Sequence, residues 1–129
     1  MILVDASVWI AHLRGDRTEA TVKLQAAAMR EPLLIGDLIL LEVLQGARNE
    51  AHALRIERGL RSYAVARLLD AELARHAARN YRKLRELGVT IRKTAALIIG
   101  TFCIERRHSL LHDDRDFAPM EQHLGLKVL

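Results

Sequence analysis

Acidic residues that follow or interrupt apolar segments form the chemically most informative pattern in this sequence. Asp5 comes directly after the apolar run "MILV", and Asp114 and Asp116 follow the run "SLLH" as a D-x-D pair. Glu42 lies inside "LILLEVLQG", which is apolar at nearly every other position. A buried carboxylate is costly unless it is paired, protonated or bound to a cation. The pattern therefore favours a site in which several carboxylates share a metal ion.

Mg²⁺ is the cofactor expected for such a site, with Mn²⁺ as the alternative. Both ions take oxygen ligands from a few side chains and keep waters for a substrate. They lower the pKa of a bound water and hold phosphodiester oxygens during in-line displacement. In this scheme Asp5 is the central ligand, and Asp114 and Asp116 complete the carboxylate cage. Glu42 orients or deprotonates the attacking water, or holds a second ion, and the sequence does not distinguish these roles.

Each of these residues, taken alone, also has a structural explanation. Asp5 and Asp114 could each cap a following helix, and Asp116 could favour the dipole of a first helical turn. Ser7 could simply begin a helix. Glu42 is the hardest to explain in this way, because a cap is not available in the middle of a helix. The joint pattern, rather than any single residue, predicts the metal site.

Short apolar strands that alternate with helical segments predict an α/β fold with a parallel sheet covered on both faces. The predicted strands are 1–4, 32–36, 62–68 and 109–112, with 127–129 as a fifth, edge strand. In such sheets, ligands bind beyond the carboxyl ends of the strands. If the first strand is central and the fourth is its neighbour, Asp5 converges with Asp114 and Asp116. Asp37, Asp70 and Thr94 are predicted to cap the helices that follow them.

Length and composition are those of one compact domain, residues 1–129. Half of the residues are hydrophobic and the formal net charge is +4, which is compatible with a polyanionic partner. The single cysteine, Cys103, makes no disulfide framework and suits a reducing cytoplasm. The apolar stretch 95–104 is too short to span a membrane, and the N-terminus lacks the basic leader of a signal peptide. We therefore expect a cytoplasmic protein.

Basic residues offer two candidate contacts for a nucleic acid. Arg92 and Lys93 immediately precede Thr94 and the predicted helix 95–107, so we expect them beside the acidic pocket, where they would bind the phosphates of a substrate. Arg75 and Arg79 share a face of the long helical segment 71–87. That face is more simply interpreted as a solvated surface of an amphipathic helix.

Four blocks of the sequence together resemble a PIN-domain ribonuclease, and within that group the VapC toxins of bacterial toxin–antitoxin pairs. The blocks are "MILVDASVWI", "LILLEVLQG", "GVTIRKTAALIIGTFCIE" and "LLHDDRDF". The resemblance covers essentially the whole chain. It implies a three-layer α/β/α sandwich around a parallel sheet of four to five strands. It also implies an Mg²⁺-dependent endoribonuclease, RNA as substrate, a VapB-type antitoxin as inhibitor and a homodimer.

The resemblance assigns the acids of the family's metal pocket to Asp5, Glu42, Asp114 and Asp116, and its small hydroxyl residue to Ser7. One position departs from the pattern. The helix after "RKT" normally carries an acid that binds the metal together with the first aspartate, and here Ala96 takes that place. Neighbouring positions offer only alanine and leucine. We therefore expect ribonuclease activity to be weak or absent in the chain as written.

Other functional classes fit the sequence less well. A catalytically dead PIN-fold protein that binds antitoxin or RNA without cleaving is the main alternative. A receiver domain would need a phosphorylatable aspartate after the third strand and a lysine after the fifth. Asp70 does follow the third predicted strand, but it is better interpreted as a helix cap. The phosphate-binding pattern of P-loop nucleotidases is absent.

Overall fold

The computed structural model describes residues 1–129 and contains a sheet of short strands surrounded by helices. The strands are β1 (Ile2–Val4), β2 (Leu33–Gly36), β3 (Ala64–Ala66) and β4 (Ser109–Leu111). The helices are α1 (Ala6–Leu13), α2 (Glu19–Ala28), α3 (Asp37–Gln45), α4 (Glu50–Leu60), α5 (Ala71–Glu86), α6 (Thr94–Arg106) and α7 (Ala118–Leu124). A 3₁₀ turn, Arg115–Phe117, connects β4 to α7.

All four strands run parallel, in the order β3-β2-β1-β4. β1 is therefore central, and Val4 at its carboxyl end lies opposite Leu111 at the end of β4. The backbone N–H of Asp5 continues this pairing by donating to the Leu111 carbonyl at 2.9 Å. The predicted neighbour relationship between the first and fourth strands is confirmed. It brings the two acidic segments to the same edge of the sheet.

The helices pack in two groups that leave the sheet between them as the middle layer. α1 contacts α2 and α3, while α5 contacts α6 and α7. β1 and β2 are buried at every position, as expected for parallel strands covered on both faces. α6 is buried without interruption from Ala96 to Cys103. This confirms the predicted three-layer α/β/α sandwich. None of the helices combines the length and apolar character needed to cross a membrane.

The predicted fifth strand is reduced to a single bridge. Val128 pairs in parallel with Leu110 of β4, outside any named strand. Leu110 donates its N–H to the Lys127 carbonyl, and Leu129 donates its N–H to the Leu110 carbonyl, both at 2.9 Å. Because these two hydrogen bonds surround one residue, no ladder extends from them. The sheet therefore has four strands.

Asp37 does not cap α3 as the sequence suggests. Gly36 occupies the cap position and Asp37 is the first helical residue. The Asp37 carboxylate accepts hydrogen bonds from the N–H groups of Leu38 and Leu68, at 2.8 and 3.1 Å. The second of these bonds attaches the segment after β3 to the start of α3. The carboxylate thus holds together two segments that are far apart in the sequence, in place of capping its own helix.

The other two predicted caps have different outcomes. Asp70 does cap α5, because its side chain accepts from the Leu73 N–H at 2.8 Å. Thr94 does not cap α6, since Lys93 holds the cap position and Thr94 is already helical. The Lys93 side chain has no acceptor oxygen, so α6 begins without a side-chain cap. The first turn of α6 therefore keeps unsatisfied backbone N–H groups near Ala96.

Candidate active site

A cavity of about 290 Å³ lies where the segments after β1 and β4 meet. Carboxylates from three parts of the sequence line it: Asp5 after β1, Glu42 from α3 and Asp114 after β4. Ser7, Lys93 and Ala96 line the same cavity. Asp116 and Arg92 do not, although Asp116 reaches the cavity indirectly through Lys93. The structure thus brings most of the predicted site residues together at the sheet edge, as the parallel topology requires.

Asp5 is both a helix cap and a wall of the cavity. It is 6% exposed, and its carboxylate oxygen Oδ2 accepts from the N–H of Ser7 at 3.2 Å. The Ser7 hydroxyl donates to the same oxygen at 2.6 Å. Both contacts use Oδ2, so Oδ1 is left for a ligand in the cavity. The capping explanation and the ligand explanation for Asp5 are therefore compatible.

The Ser7 hydroxyl also connects the two acidic segments. Its oxygen accepts a hydrogen bond from the backbone N–H of Asp113 at 3.1 Å, besides donating to Asp5. One side chain thereby fixes the start of α1 against the segment after β4. The predicted contact of Ser7 with a substrate remains a prediction. Its position in the structure gives it a clear role in orienting Asp5.

Glu42 has an unusual environment for a carboxylate. Its Oε1 is buried and has no hydrogen-bond partner. Burial raises the pKa of Glu42, the negative charges of Asp5 and Asp114 raise it further, and the Lys93 ammonium partly opposes them. A carboxylate with a raised pKa, aimed at a cavity without a protein donor, is suited to accept a proton or to bind a cation.

Asp114 and Asp116 share one cation, the ammonium group of Lys93. The Lys93 Nζ lies 3.3 Å from Asp114 Oδ2 and 3.4 Å from Asp116 Oδ2. Partial burial would raise the pKa of Asp114, but the Asp116 N–H, at 2.9 Å from Asp114 Oδ1, and the lysine together lower it below its usual value. Hydrogen bonds to both aspartates raise the pKa of Lys93. Asp114 is therefore held ionised at neutral pH.

The sequence predicts Lys93 beside the acids, and the structure adds that its ammonium pairs with two of them. The available sequence signal is a lysine placed directly before the helix that borders the acidic site. The sequence predicts His112 as the last residue of the fourth strand, but β4 ends at Leu111. The His112 Nδ1 instead accepts from the Asp114 N–H at 3.0 Å. Arg92 is exposed and makes no ion pair, so its predicted contact with substrate remains a prediction.

Ala96 is 4% exposed and lies in the first turn of α6, facing the cavity. A carboxylate in its place would reach the same space as Asp5 and Glu42. It would also lie next to the free N–H groups at the start of α6, where negative charge is favourable. The position therefore has the geometry that the resemblance assigns to a ligand, and it carries a methyl group.

The donor set fits a hard cation bound through few protein ligands. No three of the His, Cys, Asp and Glu side chains lie close enough together to hold a metal ion by themselves. Mg²⁺, however, is commonly bound by one or two carboxylates and completes its shell with waters and substrate phosphate. Glu42 Oε1, buried without a donor, and the Lys93 ammonium between two carboxylates both mark places where positive charge is favourable. The residues therefore fit Mg²⁺, with fewer direct ligands than the sequence suggested.

Known proteins are similar to this sequence over nearly its whole length. The "VapC ribonuclease Mb1587" of Mycobacterium bovis is 29% identical over 130 aligned positions, which cover 99% of this chain and 97% of the relative. The "Ribonuclease VapC11" of Mycobacterium tuberculosis matches with the same identity and coverage. These relatives span the same length as this chain, so the similarity extends beyond the acidic blocks.

Solved structures share the fold at lower identity. VapBC2 from Rickettsia felis, solved bound to a DNA fragment from its promoter, superposes with a TM-score of 0.80 at 14% identity, covering 100% of this chain and 98% of that one. Mycobacterium tuberculosis VapC20, described as a sarcin–ricin loop cleaving toxin, gives a TM-score of 0.69 at 18% identity, with 92% and 93% covered. The family profile described as PIN domain matches residues 2–121, nearly the entire chain. This protein therefore belongs to the PIN-domain family.

Proposed function

We propose that this protein is an Mg²⁺-dependent endoribonuclease and the toxin of a type II toxin–antitoxin pair. The observation that carries the proposal is the convergence of Asp5, Glu42 and Asp114 on one cavity of a PIN fold. The full-length similarity to proteins named VapC ribonucleases supports the same reaction. Phosphodiester hydrolysis is the chemistry for which clustered carboxylates at this position are suited.

The protein's own residues prepare the site for hydrolysis. Asp5, fixed by Ser7, presents Oδ1 to the cavity, and the Glu42 carboxylate, whose pKa is raised by burial, accepts the proton of the attacking water. Lys93 can move from the aspartates toward a phosphate oxygen, because its side chain is 63% exposed. When bound, Mg²⁺ supplies positive charge that polarises water and holds the phosphate oxygens.

We propose that Ala96 weakens the activity of the chain as written. A methyl group offers no oxygen, so the cavity has one ligand fewer than the family pattern. Changes outside the direct ligands already cost about 10–100-fold in metal affinity or activity, and the loss of a direct ligand should cost at least as much. Ala96→Asp should restore cleavage of total cellular RNA in the presence of Mg²⁺. Continued inactivity of this variant would contradict the proposed reaction.

We propose a VapB-type antitoxin as the partner, and a homodimer as the form in which the toxin acts. A structure described as a toxin–antitoxin complex from Klebsiella pneumoniae superposes with a TM-score of 0.71 at 22% identity. Val22 of α2 and Leu41 of α3 are 46% and 57% exposed and offer apolar contacts to a partner. An arginine of the antitoxin would pair bidentately with the acids of the cavity. Co-expression with a VapB-type protein and co-purification test this.

A catalytically dead PIN-fold protein remains the second candidate. The specific observation in its favour is Ala96 inside an otherwise acidic cavity. Such a protein would bind antitoxin or RNA. Neither the parent chain nor the Ala96→Asp variant would cleave RNA. Cleavage by that variant thus separates the two functions.

A further inference from the structure

A second cavity, larger than the acidic one, lies where α1, α3 and α4 meet. Its volume is about 560 Å³, within the range of sites that bind small ligands. Three arginines line it, Arg14, Arg48 and Arg55, and no acidic residue does. The charge of this cavity is therefore opposite to that of the acidic cavity.

The three arginines come from separate parts of the fold and have no acidic partner. Arg14 ends α1, Arg48 lies between α3 and α4, and Arg55 belongs to α4. No ion pair of the protein includes any of them. All three are exposed, so an anion can reach them from solvent. Guanidinium groups bind phosphate through paired hydrogen bonds, which a cluster of this kind can supply more than once.

His52 adds a neutral hydrogen-bond donor to the same wall. Its Nδ1 accepts a hydrogen bond from the backbone N–H of Arg48 at 3.0 Å, which leaves the proton of the neutral ring on Nε2. Desolvation and the positive charges of Arg48 and Arg55 lower the pKa of His52. The ring is therefore neutral at physiological pH and can donate to an oxygen without adding charge.

The floor of the cavity is apolar. Ile10, Leu13, Val43 and Ile56 form it, and Leu13 is 40% exposed. An inorganic anion would use only the arginines and would leave this surface in contact with water. A ligand that joins a phosphate to a flat, weakly polar ring would use both parts, and a nucleotide has this composition.

Ile10 lines both cavities, so they are neighbours along α1. We propose that the arginine cavity binds a nucleotide of single-stranded RNA next to the bond that is cut, with its phosphate on Arg14, Arg48 and Arg55 and its base on the apolar floor. The inference rests on the proposed function for the identity of the substrate. It adds three phosphate-binding arginines to the contact proposed for Lys93 in the acidic cavity.

An acidic segment of a partner protein is the competing occupant. RNA fits better because its charge recurs with every nucleotide, so one strand can cross from the arginines to the cation of the adjacent cavity. A protein helix that follows the same path would have to reverse its charge between the two cavities. The difference in charge between neighbouring cavities therefore favours the nucleic acid.

Binding of a short fluorescein-labelled oligouridylate to the full chain tests the inference. Fluorescence anisotropy is measured in chelator at increasing salt, so that cleavage plays no part. The variant Arg14→Gln/Arg55→Gln is compared with Arg75→Gln/Arg79→Gln, which removes the same charge from the exposed face of α5. Each phosphate contact on a single strand contributes about 0.7 to the slope of log affinity against log salt, so losing two contacts should flatten it by about 1.4. The α5 variant should keep the parent slope.

A third variant serves as a control for a general loss of structure. Arg14→Lys/Arg55→Lys keeps the charges and should keep most of the salt slope, while binding more weakly because the paired hydrogen bonds are lost. The inference is overturned if the parent protein does not bind at low salt, or if the glutamine variant matches the α5 variant. It is also overturned if the glutamine variant keeps RNA binding but no longer retains the antitoxin in a pull-down. Because binding is measured without metal, absence of ribonuclease activity in Ala96→Asp would contradict the proposed function and leave this result standing.

Discussion

The hydroxyl of Ser7 lies 2.6 Å from carboxylate oxygen Oδ2 of Asp5, which is the distance of a short charge-assisted hydrogen bond. The same hydroxyl accepts the N–H of Asp113, so it holds the acid at the end of β1 against the segment that carries Asp114. The acidic cavity is thus preorganised by a residue that makes no metal contact in the proposed mechanism.

Ser7→Ala should destabilise the protein and loosen Asp5. A hydrogen bond to a charged group contributes about 1.5–3 kcal/mol, and the retained contact from the Ser7 N–H should limit the loss to about 1–2 kcal/mol. Urea unfolding followed by circular dichroism measures the change. Ser7→Thr keeps the hydroxyl and serves as the control. Equal stability of the alanine and threonine variants would contradict the role assigned to this hydroxyl.

Glu42→Gln should stabilise the protein at neutral pH and have little effect in acid. The pKa of Glu42 is raised above its ordinary value of 4.5, so between those two pKa values the folded state binds more protons than the unfolded state. Stability from this group is complete below pH 4.5 and is lost as pH rises through the folded pKa. The melting temperature of the glutamine variant should therefore exceed that of the parent at pH 7 and approach it near pH 4.

The matched control for this experiment is Glu57→Gln, which removes an exposed carboxylate of α4 outside the acidic cavity. It should leave the pH dependence of the melting temperature close to that of the parent. A Glu42→Gln protein that melts at a lower temperature than the parent at pH 7 would contradict the expected stabilisation, because it would show that the ionised carboxylate is stabilised by a partner and not destabilised by burial.

Lys93→Gln should raise the affinity for Mg²⁺ several-fold and weaken RNA binding. The Lys93 ammonium forms ion pairs with Asp114 and Asp116, so a metal cation must displace it before binding either carboxylate. Titration calorimetry on the full chain measures the metal affinity. Arg92→Gln removes the same charge from an adjacent, exposed and unpaired side chain, and it should change the metal affinity much less. Weaker Mg²⁺ binding by Lys93→Gln would mean that the aspartates do not take part.

Gly36→Ala should destabilise the start of α3, the helix that carries Glu42. A Cβ atom at this position would lie 2.7 Å from Cγ of Leu68, too close for carbon atoms in contact. Overpacking of this kind costs about 1–3 kcal/mol. Gly59→Ala in α4 is the control, because its Cβ would meet nothing within 4 Å. That variant should gain about 0.5–1 kcal/mol from helix propensity. Similar unfolding midpoints for both variants would contradict the packing described at Gly36.

The main features of the site follow from the sequence because they depend on local patterns. Apolar runs ending in acids give buried parallel strands, and the parallel arrangement brings Asp5 and Asp114 together. Glu42 can also be assigned to the site from the sequence. It lies inside an otherwise apolar helix, and a buried carboxylate requires a partner. Ala96 could be placed because α6 begins directly after a recognisable block. These features need little knowledge of how distant segments pack.

Other features depend on tertiary packing and could not be predicted. The direction of the Lys93 side chain is decided by the aspartates across the cavity, and Asp37 bonds to Leu68 because β3 ends nearby. The cap positions of α3 and α6 differ from prediction by one residue, which hydrogen bonding at the helix start decides. The arginine cavity joins residues of α1, α4 and a connecting segment, and no single stretch of sequence contains its pattern.

We propose that an aspartate at position 96 would complete a metal-dependent ribonuclease site. The most direct measurement compares cleavage of total cellular RNA by the parent chain, Ala96→Asp and the isosteric control Ala96→Asn, each with Mg²⁺ and with chelator. Only the aspartate variant adds an anionic oxygen ligand to the cavity lined by Asp5 and Glu42. It should cut at least about 10–100-fold faster than the parent, only with Mg²⁺, and Asp5→Asn in the same protein should abolish the activity. Equal rates for the parent and Ala96→Asp, or cleavage that persists in chelator, would contradict the proposed metal-dependent role of position 96.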